Sequence, residues 1–513
     1  MWVAPFARLV SLVLCALLTA LAGPAIAMER GEYVARIGDC VSCHSAPGGK
    51  PYAGGLRMSM PFGAIFTTNI TPDKATGIGD WNFADFDRAL RRGIAKDGHH
   101  LYPAMPYPSF DKISDADMHA LFDFVMHDIA PVRQRNRANE IVWPLDMRWP
   151  LAIWNWLFVS GGRYRPNPAR DATWNRGAYL VETLGHCGAC HTPRGVAWNE
   201  VAMTGRDPRF LSGATLEFWS APDLRGDART GLGSWSNADI VAFLKTGHNR
   251  RGAAFGSMNE VTRNSAPYLS DADLDAIAAY LKSLPPYRSA AATGAASERG
   301  TSGLPVWHVV TPGAVLYQGY CARCHGADGA GQDDRVPPLA GNPVLLDPDP
   351  TSAIHMILDG GKATSPNFPK AKTMPAFRPL LSDDALAEIV SFIRRNWGND
   401  AASVGTEEVR TVRLGSRPDP DQLARGRALV EATGCGGCHR IPHISAASGL
   451  AGPPLDNIGR QTMIAGLLAN NPANMAAWLQ SPQGIKPGDA MPDLGLSKQD
   501  AEDIAAFLST LRE

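Results

Sequence analysis

Four stretches of the chain share one pattern of apolar and polar positions. Counting from Ser114, Ser270, Ser382 and Ser497, each has an aliphatic residue at position seven (Leu121, Ile277, Ile389, Ile504). An aromatic follows at ten (Phe124, Tyr280, Phe392, Phe507) and another aliphatic at eleven (Val125, Leu281, Ile393, Leu508). Apolar residues at i, i+3 and i+4 share one face of an α-helix, so each stretch predicts an amphipathic helix with a single buried stripe. The serines are good N-cap residues. Asp117, Asp273 and Asp500 stand three positions on, where a capping box has its acidic arm, and the third copy has Ala385. Upstream of each, a shorter helical pattern contains one glycine: Gly31, Gly177, Gly313 and Gly426.

A pattern that recurs four times predicts a mainly α chain of four tandem small domains. Their expected limits are 28–135, 168–288, 305–400 and 421–513. Residues 289–304 are rich in Ala, Gly, Ser and Thr and read as a flexible linker, and 401–420 as a second, more polar one. Residues 136–167 are different, with Trp143, Trp149, Trp154 and Trp156 among aliphatics. That segment is too short to span a bilayer. Exposed, it would be an interfacial anchor or a docking patch; buried, it would be inter-domain packing.

Residues 1–27 join Arg8, a short apolar run and the small-residue site Ala25-Ile26-Ala27, so a cleaved signal peptide is expected, with an uncleaved anchor as the alternative. Of 513 residues 45% are hydrophobic and 19% charged, and the formal charge is −1. This balance excludes a disordered chain and gives no electrostatic case for a nucleic-acid partner.

Cysteine placement decides the chemistry. Apart from Cys15, every cysteine belongs to one of four C-x-x-C-H motifs: Cys40/Cys43/His44, Cys187/Cys190/His191, Cys321/Cys324/His325 and Cys435/Cys438/His439. Two thiols three residues apart on a helical turn can add to the two vinyl groups of a haem, and the adjoining histidine then ligates the iron. A disulfide framework does not require histidine after every pair. A zinc ribbon needs two neighbouring pairs, whereas these start 147, 134 and 114 residues apart. A thioredoxin-like site needs a βαβ setting that the pattern lacks. Four covalent haem c groups are therefore expected.

A methionine opposite the histidine would give a six-coordinate, electron-transferring iron. The candidates are Met105, Met258, Met374 and Met491, which follow their histidines by 61, 67, 49 and 52 residues. Three precede proline, which stiffens an extended loop. Met258 precedes Asn259, and Met203 lies in the same unit. His99, His100 and His248 are alternative distal ligands, read more simply as surface or satisfied side chains.

At this point the chain resembles the multihaem cytochrome c subunits of bacterial membrane-bound dehydrogenases of the alcohol and gluconate type. Segments 67–81, 101–108, 147–154, 185–195 and 337–343 carry the likeness, which covers about residues 29–400. The resemblance implies class-I-like cytochrome c domains in which the upstream glycine lets its helix approach the aromatic of the closing helix. It also implies that Met105, Met258 and Met374 are axial ligands, and likeness to cytochrome c domains in general implies that the backbone at the prolines of 337–338 and 453–454 passes the proximal histidines and accepts their N–H. The implied partners are a catalytic dehydrogenase subunit of flavin- or quinone-cofactor type and ubiquinone. The implied place is the periplasm, at the outer face of the cytoplasmic membrane. Residues 421–513 add a unit beyond the usual three, and 485–496 look like the cytochrome c domain fused to some haem–copper oxidases. That suggests a terminal oxidase or soluble cytochrome as a further acceptor. The rival readings are a quinone-reducing or small-molecule-reducing haem enzyme in its own right and a free-standing electron shuttle.

Overall fold

The computed structural model describes residues 28–60, 62–216, 219–287, 311–332, 335–415, 420–445, 447–461, 463–470 and 472–511. The signal peptide expected over 1–27 and the linker expected over 289–304 lie outside the described residues.

The first repeat contains α1 (Arg30–Ile37), strands β1 (Arg57–Met60) and β2 (Gly63–Phe66), α2 (Phe83–Arg92) and α3 (Asp115–Asp123). β3 (Glu140–Ile141) and α4 (Pro150–Phe158) follow in the tryptophan-rich segment. The second repeat contains α5 (Ala172–Tyr179), the hairpin β4 (Ala214–Leu216) and β5 (Trp219–Ala221), α6 (Asn237–Thr246) and α7 (Asp271–Lys282). Then come α8 (Pro312–Tyr320), α9 (Thr351–Asp359), α10 (Asp383–Arg395) and α11 (Thr406–Gly415). The last repeat contains α12 (Pro420–Ala432), α13 (Pro472–Gln480) and α14 (Lys498–Ser509). Among the described residues sheet is confined to short antiparallel pieces, the largest being β1-β2-β3.

The predicted closing helices α3, α7, α10 and α14 form where expected. Ser114, Ser270, Ser382 and Ser497 each accept the backbone N–H three residues on, at 3.1–3.2 Å. Each closing helix crosses the glycine-bearing helix of its own repeat: α1 on α3, α5 on α7, α8 on α10, α12 on α14. The contact has no room for a side chain. A Cβ on Gly177 would lie 1.9 Å from the Ala276 carbonyl oxygen, and one on Gly426 would lie 2.0 Å from that of Asp503. Gly31 meets Phe124 and Gly313 meets Phe392 in the same way.

The first two repeats share one hydrophobic core, in which Phe110, Met118, Leu180, Phe210 and Tyr280 are buried together. The other two have separate cores. Residues 401–415, read as part of a linker, instead join the third core through Val404, Val409 and Val412 of α11 and the stretch before it. Arg413 fastens α11 by donating to the carbonyls of Leu381 and Arg378. Only three valines point inward there, too few to lift the segment out of a polar composition.

The tryptophan-rich segment is strapped across the first repeat by polar contacts. Asn155 donates to the Arg92 carbonyl and accepts from Tyr107, and Trp154 donates to Ala197. Its large apolar residues face outward: Trp143 is 77% and Trp156 80% exposed, with Trp149, Ile153 and Leu157 also exposed. Inter-domain burial is thereby excluded for these side chains. Among the described residues no helix is long and apolar enough to cross a membrane.

Candidate haem sites

Each C-x-x-C-H motif is wound into one helical turn. The amide of the histidine bonds to the carbonyl of the first cysteine at 3.0 Å in His44, His191 and His325 and at 2.9 Å in His439. This i→i−4 closure puts the two cysteines on one face with the imidazole beside them. None of the eight is joined in a disulfide. Burial pushes the thiols of Cys40, Cys187 and Cys321 up to about 12.

The imidazoles share one orientation. Nδ1 faces a backbone carbonyl in every motif: Thr68 for His44 at 2.7 Å, Pro222 for His191 at 2.8 Å, Pro337 for His325 at 3.2 Å and Pro453 for His439 at 2.8 Å. Burial lowers the pKa of His44, His191 and His325, which favours the neutral ring. A neutral imidazole that donates through Nδ1 keeps its lone pair on Nε2 for a metal. The acceptors Pro337 and Pro453 were expected from the resemblance; Thr68 and Pro222 were not. No shared dipeptide marks the latter pair, since the carbonyl is offered by backbone whatever the side chain.

The space in front of the first two motifs fits a large planar carboxylate-bearing cofactor. One continuous, mainly apolar cavity of about 2910 Å³ touches Cys43, Cys190, His191, Met258 and Met374. Into its walls are set buried nitrogens that lack a hydrogen-bond partner among the described residues: Trp235 Nε1, Arg194 Nε and Arg251 Nε. Buried N–H groups of this kind need acceptors, and haem propionates are such acceptors. In the fourth repeat a Cβ on Gly452 would lie 2.4 Å from His439 Cε1, so only glycine leaves room for that ring. Among the described residues no three His, Cys, Asp or Glu side chains cluster as a metal-ligand set.

The candidate methionines occupy loops between motif and closing helix. Met105 packs against the first core, and its carbonyl accepts from Tyr107. Met258 begins a short helical turn at the cavity wall. Met374 pairs with Gly361 through two backbone bonds of 2.7 and 3.0 Å. Met491 packs against the fourth core, and its sulfur accepts from Trp478 Nε1 at 3.1 Å. The histidine alternatives are engaged elsewhere. His99 binds Asp97, His100 meets Asn155, and the His248 ring stacks on Phe368 at 4.5 Å. Met203 lies at the wall of the same cavity as Met258, and its carbonyl accepts from the buried Lys112.

The sequence profile described as "Cytochrome c" matches residues 28–127, 175–285 and 423–512. That of "Cytochrome C oxidase, cbb3-type, subunit III" matches 308–393. The chain is thus built of cytochrome c domains, the class whose members bind haem c covalently. It is 47% identical over 413 residues to the gluconate 2-dehydrogenase cytochrome c subunit of Pantoea cypripedii, covering 79% of this chain and 92% of that protein. It is 47% identical over 392 residues to the cytochrome c subunit of the quinone alcohol dehydrogenase of Gluconacetobacter polyoxogenes (74% and 82%). With the fructose dehydrogenase cytochrome subunit of Gluconobacter japonicus it shares 36% over 433 residues (80% and 87%). The chain belongs to the family of cytochrome c subunits of gluconate and alcohol dehydrogenases.

Proposed function

We propose that the chain carries four covalent haem c groups and relays electrons from a separate catalytic dehydrogenase subunit, of flavin- or quinone-cofactor type, to ubiquinone, a terminal oxidase or a soluble cytochrome. Thioethers would form at Cys40 and Cys43, Cys187 and Cys190, Cys321 and Cys324, and Cys435 and Cys438. His44, His191, His325 and His439 would ligate iron from one side and Met105, Met258, Met374 and Met491 from the other. The observation that carries the reading is the fourfold recurrence of one arrangement, a C-x-x-C-H turn whose histidine turns Nδ1 to a carbonyl.

Haem supplies the one-electron couple. The chain's own residues supply the rest: carbonyls that fix the imidazole tautomer, apolar walls that exclude water, and buried nitrogens that receive carboxylates. Export would place it in the periplasm. The exposed Trp143, Trp149 and Trp156 beside the Met105 loop favour attachment to the outer face of the cytoplasmic membrane, because indole rings settle at the lipid–water interface.

The test is purification of the tagged chain from gently solubilised membranes, with haem reduction followed on addition of alcohols and sugar acids. A co-purifying dehydrogenase and substrate-driven reduction are expected. A lone soluble chain that none of these substrates reduces would overturn the relay.

A further inference from the structure

The second methionine loop has Asn259 where the other three have proline. Both ends of its carboxamide are engaged, and by the third repeat. Asn259 Nδ2 donates to the Lys362 carbonyl at 3.1 Å, and Oδ1 accepts from the Thr364 amide at 3.2 Å. A carboxamide can pair with a backbone C=O and N–H together, whereas a proline ring can do neither. The segment it grips begins one residue after Gly361, the pairing partner of Met374. The methionine loops of the second and third repeats are therefore tied through one short stretch of backbone.

A second clamp lies alongside. The loop runs over the indole of Trp219 so closely that a Cβ on Gly256, two residues before Met258, would lie 2.7 Å from the ring. Trp219 in turn stacks on His355 of α9, with centroids 3.9 Å apart and planes at 20°. His355 Nε2 is held by Asp359 at 2.9 Å. β5 is pinned to α9 beside the stack, where the Ser220 amide donates to Ser352 Oγ and that hydroxyl donates back to the Ser220 carbonyl.

Methionine has three rotatable bonds and takes a defined place only when its surroundings fix it. Proline gives that stiffness to the loops of Met105, Met374 and Met491. We infer that Asn259, Trp219 and His355 are positioning residues for Met258, so that docking of the third repeat holds the sixth ligand of the second iron. The inference rests on Met258 being that ligand. Its consequence is that ligation in the second repeat depends on contacts made by the third.

The experiment uses the full-length, haem-loaded chain and three readouts. These are the near-infrared methionine–iron(III) charge-transfer band, carbon monoxide uptake by the reduced protein, and a redox titration. Met258→Ala comes first, and should remove one haem equivalent of the band and admit one equivalent of carbon monoxide; no change would refute the ligand assignment itself. With that established, Asn259→Ala combined with His355→Ala is expected to open the same iron and lower one potential. Trp219→Phe, which keeps a ring for both Gly256 and His355, should retain the band. An intact band and no carbon monoxide uptake in the double variant would overturn the positioning role while leaving Met258 as ligand. If the double variant fails to accumulate, Asn259→Ala alone is read by the same band.

Discussion

The phenol of Tyr179 donates to the carboxylate of Asp117 at 2.6 Å, across the boundary between the second repeat and the first. Tyr33 makes the matching contact with Asp273 at 2.7 Å in the opposite sense. Each tyrosine stands two residues after its helix-packing glycine, and each also accepts the amide of the other repeat's capping serine. The first helix of each repeat thus caps the closing helix of its neighbour, as in an isologous dimer fused into one chain. This explains the aspartates three residues after Ser114 and Ser270: their carboxylates serve the partner repeat. The third and fourth repeats have Val315 and Ala428 at the tyrosine position, and their cores are separate.

Replacing either tyrosine by phenylalanine removes a hydrogen bond to a buried carboxylate. Such bonds contribute about 1.5–3 kcal/mol. Tyr33→Phe and Tyr179→Phe should each lower the denaturant midpoint of the unit formed by the first two repeats while leaving haem content unchanged. Unaltered midpoints in both would show that the exchange contributes nothing to holding the repeats together.

Glycines with similar sequence settings should respond very differently to alanine. Gly437, inside the fourth motif, has nothing within 4 Å of the place a methyl would occupy, so Gly437→Ala should be tolerated. Gly452→Ala would drive a methyl into the His439 ring, and Gly177→Ala would strike the Ala276 carbonyl. Overpacking of this kind costs about 1–3 kcal/mol or more. Haem stoichiometry and melting temperature of the three variants give the ranking, and equal behaviour would contradict the packing described.

Much of the local structure was legible in the sequence. The C-x-x-C-H turns and the closing helices follow from local rules that hold in any context. What stayed hidden is tertiary. Thr68 and Pro222 act through backbone carbonyls and leave no side-chain trace. The helix over 406–415 buries only a few valines in a polar run. Asn259 looked like a defect in a Met-Pro pattern, since its partners lie about a hundred residues away. The direction in which Trp156 faces depends on contacts of Asn155 and Trp154, which no helical periodicity announces.

Stability should depend on pH through Glu200. Its Oε2 is sealed from solvent with no hydrogen-bond partner among the described residues, and burial pushes the carboxyl up to about 7 against the opposing pull of Arg194 and Lys112. The unfolded carboxyl titrates at about 4.3. Between these values the folded state holds a proton that the unfolded state has released. Stability therefore falls as pH rises through that window and levels above it. Glu200→Gln should flatten this part of the profile, as followed by denaturant midpoints at a series of pH values. An unchanged slope would mean the carboxylate has a partner when folded.

Changing Trp143, Trp149 and Trp156 together to serine removes three exposed indoles and little of the fold, since α4 is held through Trp154 and Asn155. If these rings rest in a lipid interface, the variant should move from the membrane fraction to the soluble fraction with its haem spectrum intact. Sedimentation with vesicles of anionic lipid checks this directly, and retention equal to the parent would place the attachment elsewhere.

Trp478 offers a finer test of the fourth site. Its indole N–H donates to the sulfur of Met491. If that sulfur ligates iron as proposed, such a donor withdraws electron density from the metal. Less density at iron favours the reduced state, so the bond should raise the potential of that haem. Trp478→Phe keeps an aromatic filling the same space in the fourth core but removes the donor. One of the potentials should then fall, while carbon monoxide still fails to bind because Met491 stays in place. Met491→Ala should instead admit one equivalent of carbon monoxide and lower the potential further. If Trp478→Phe leaves every potential unchanged while Met491→Ala opens the iron, the ligand assignment survives and the tuning role of the indole does not. If neither variant alters the haem spectrum, Met491 is not the ligand, and the chain's fourth repeat must complete its iron in another way.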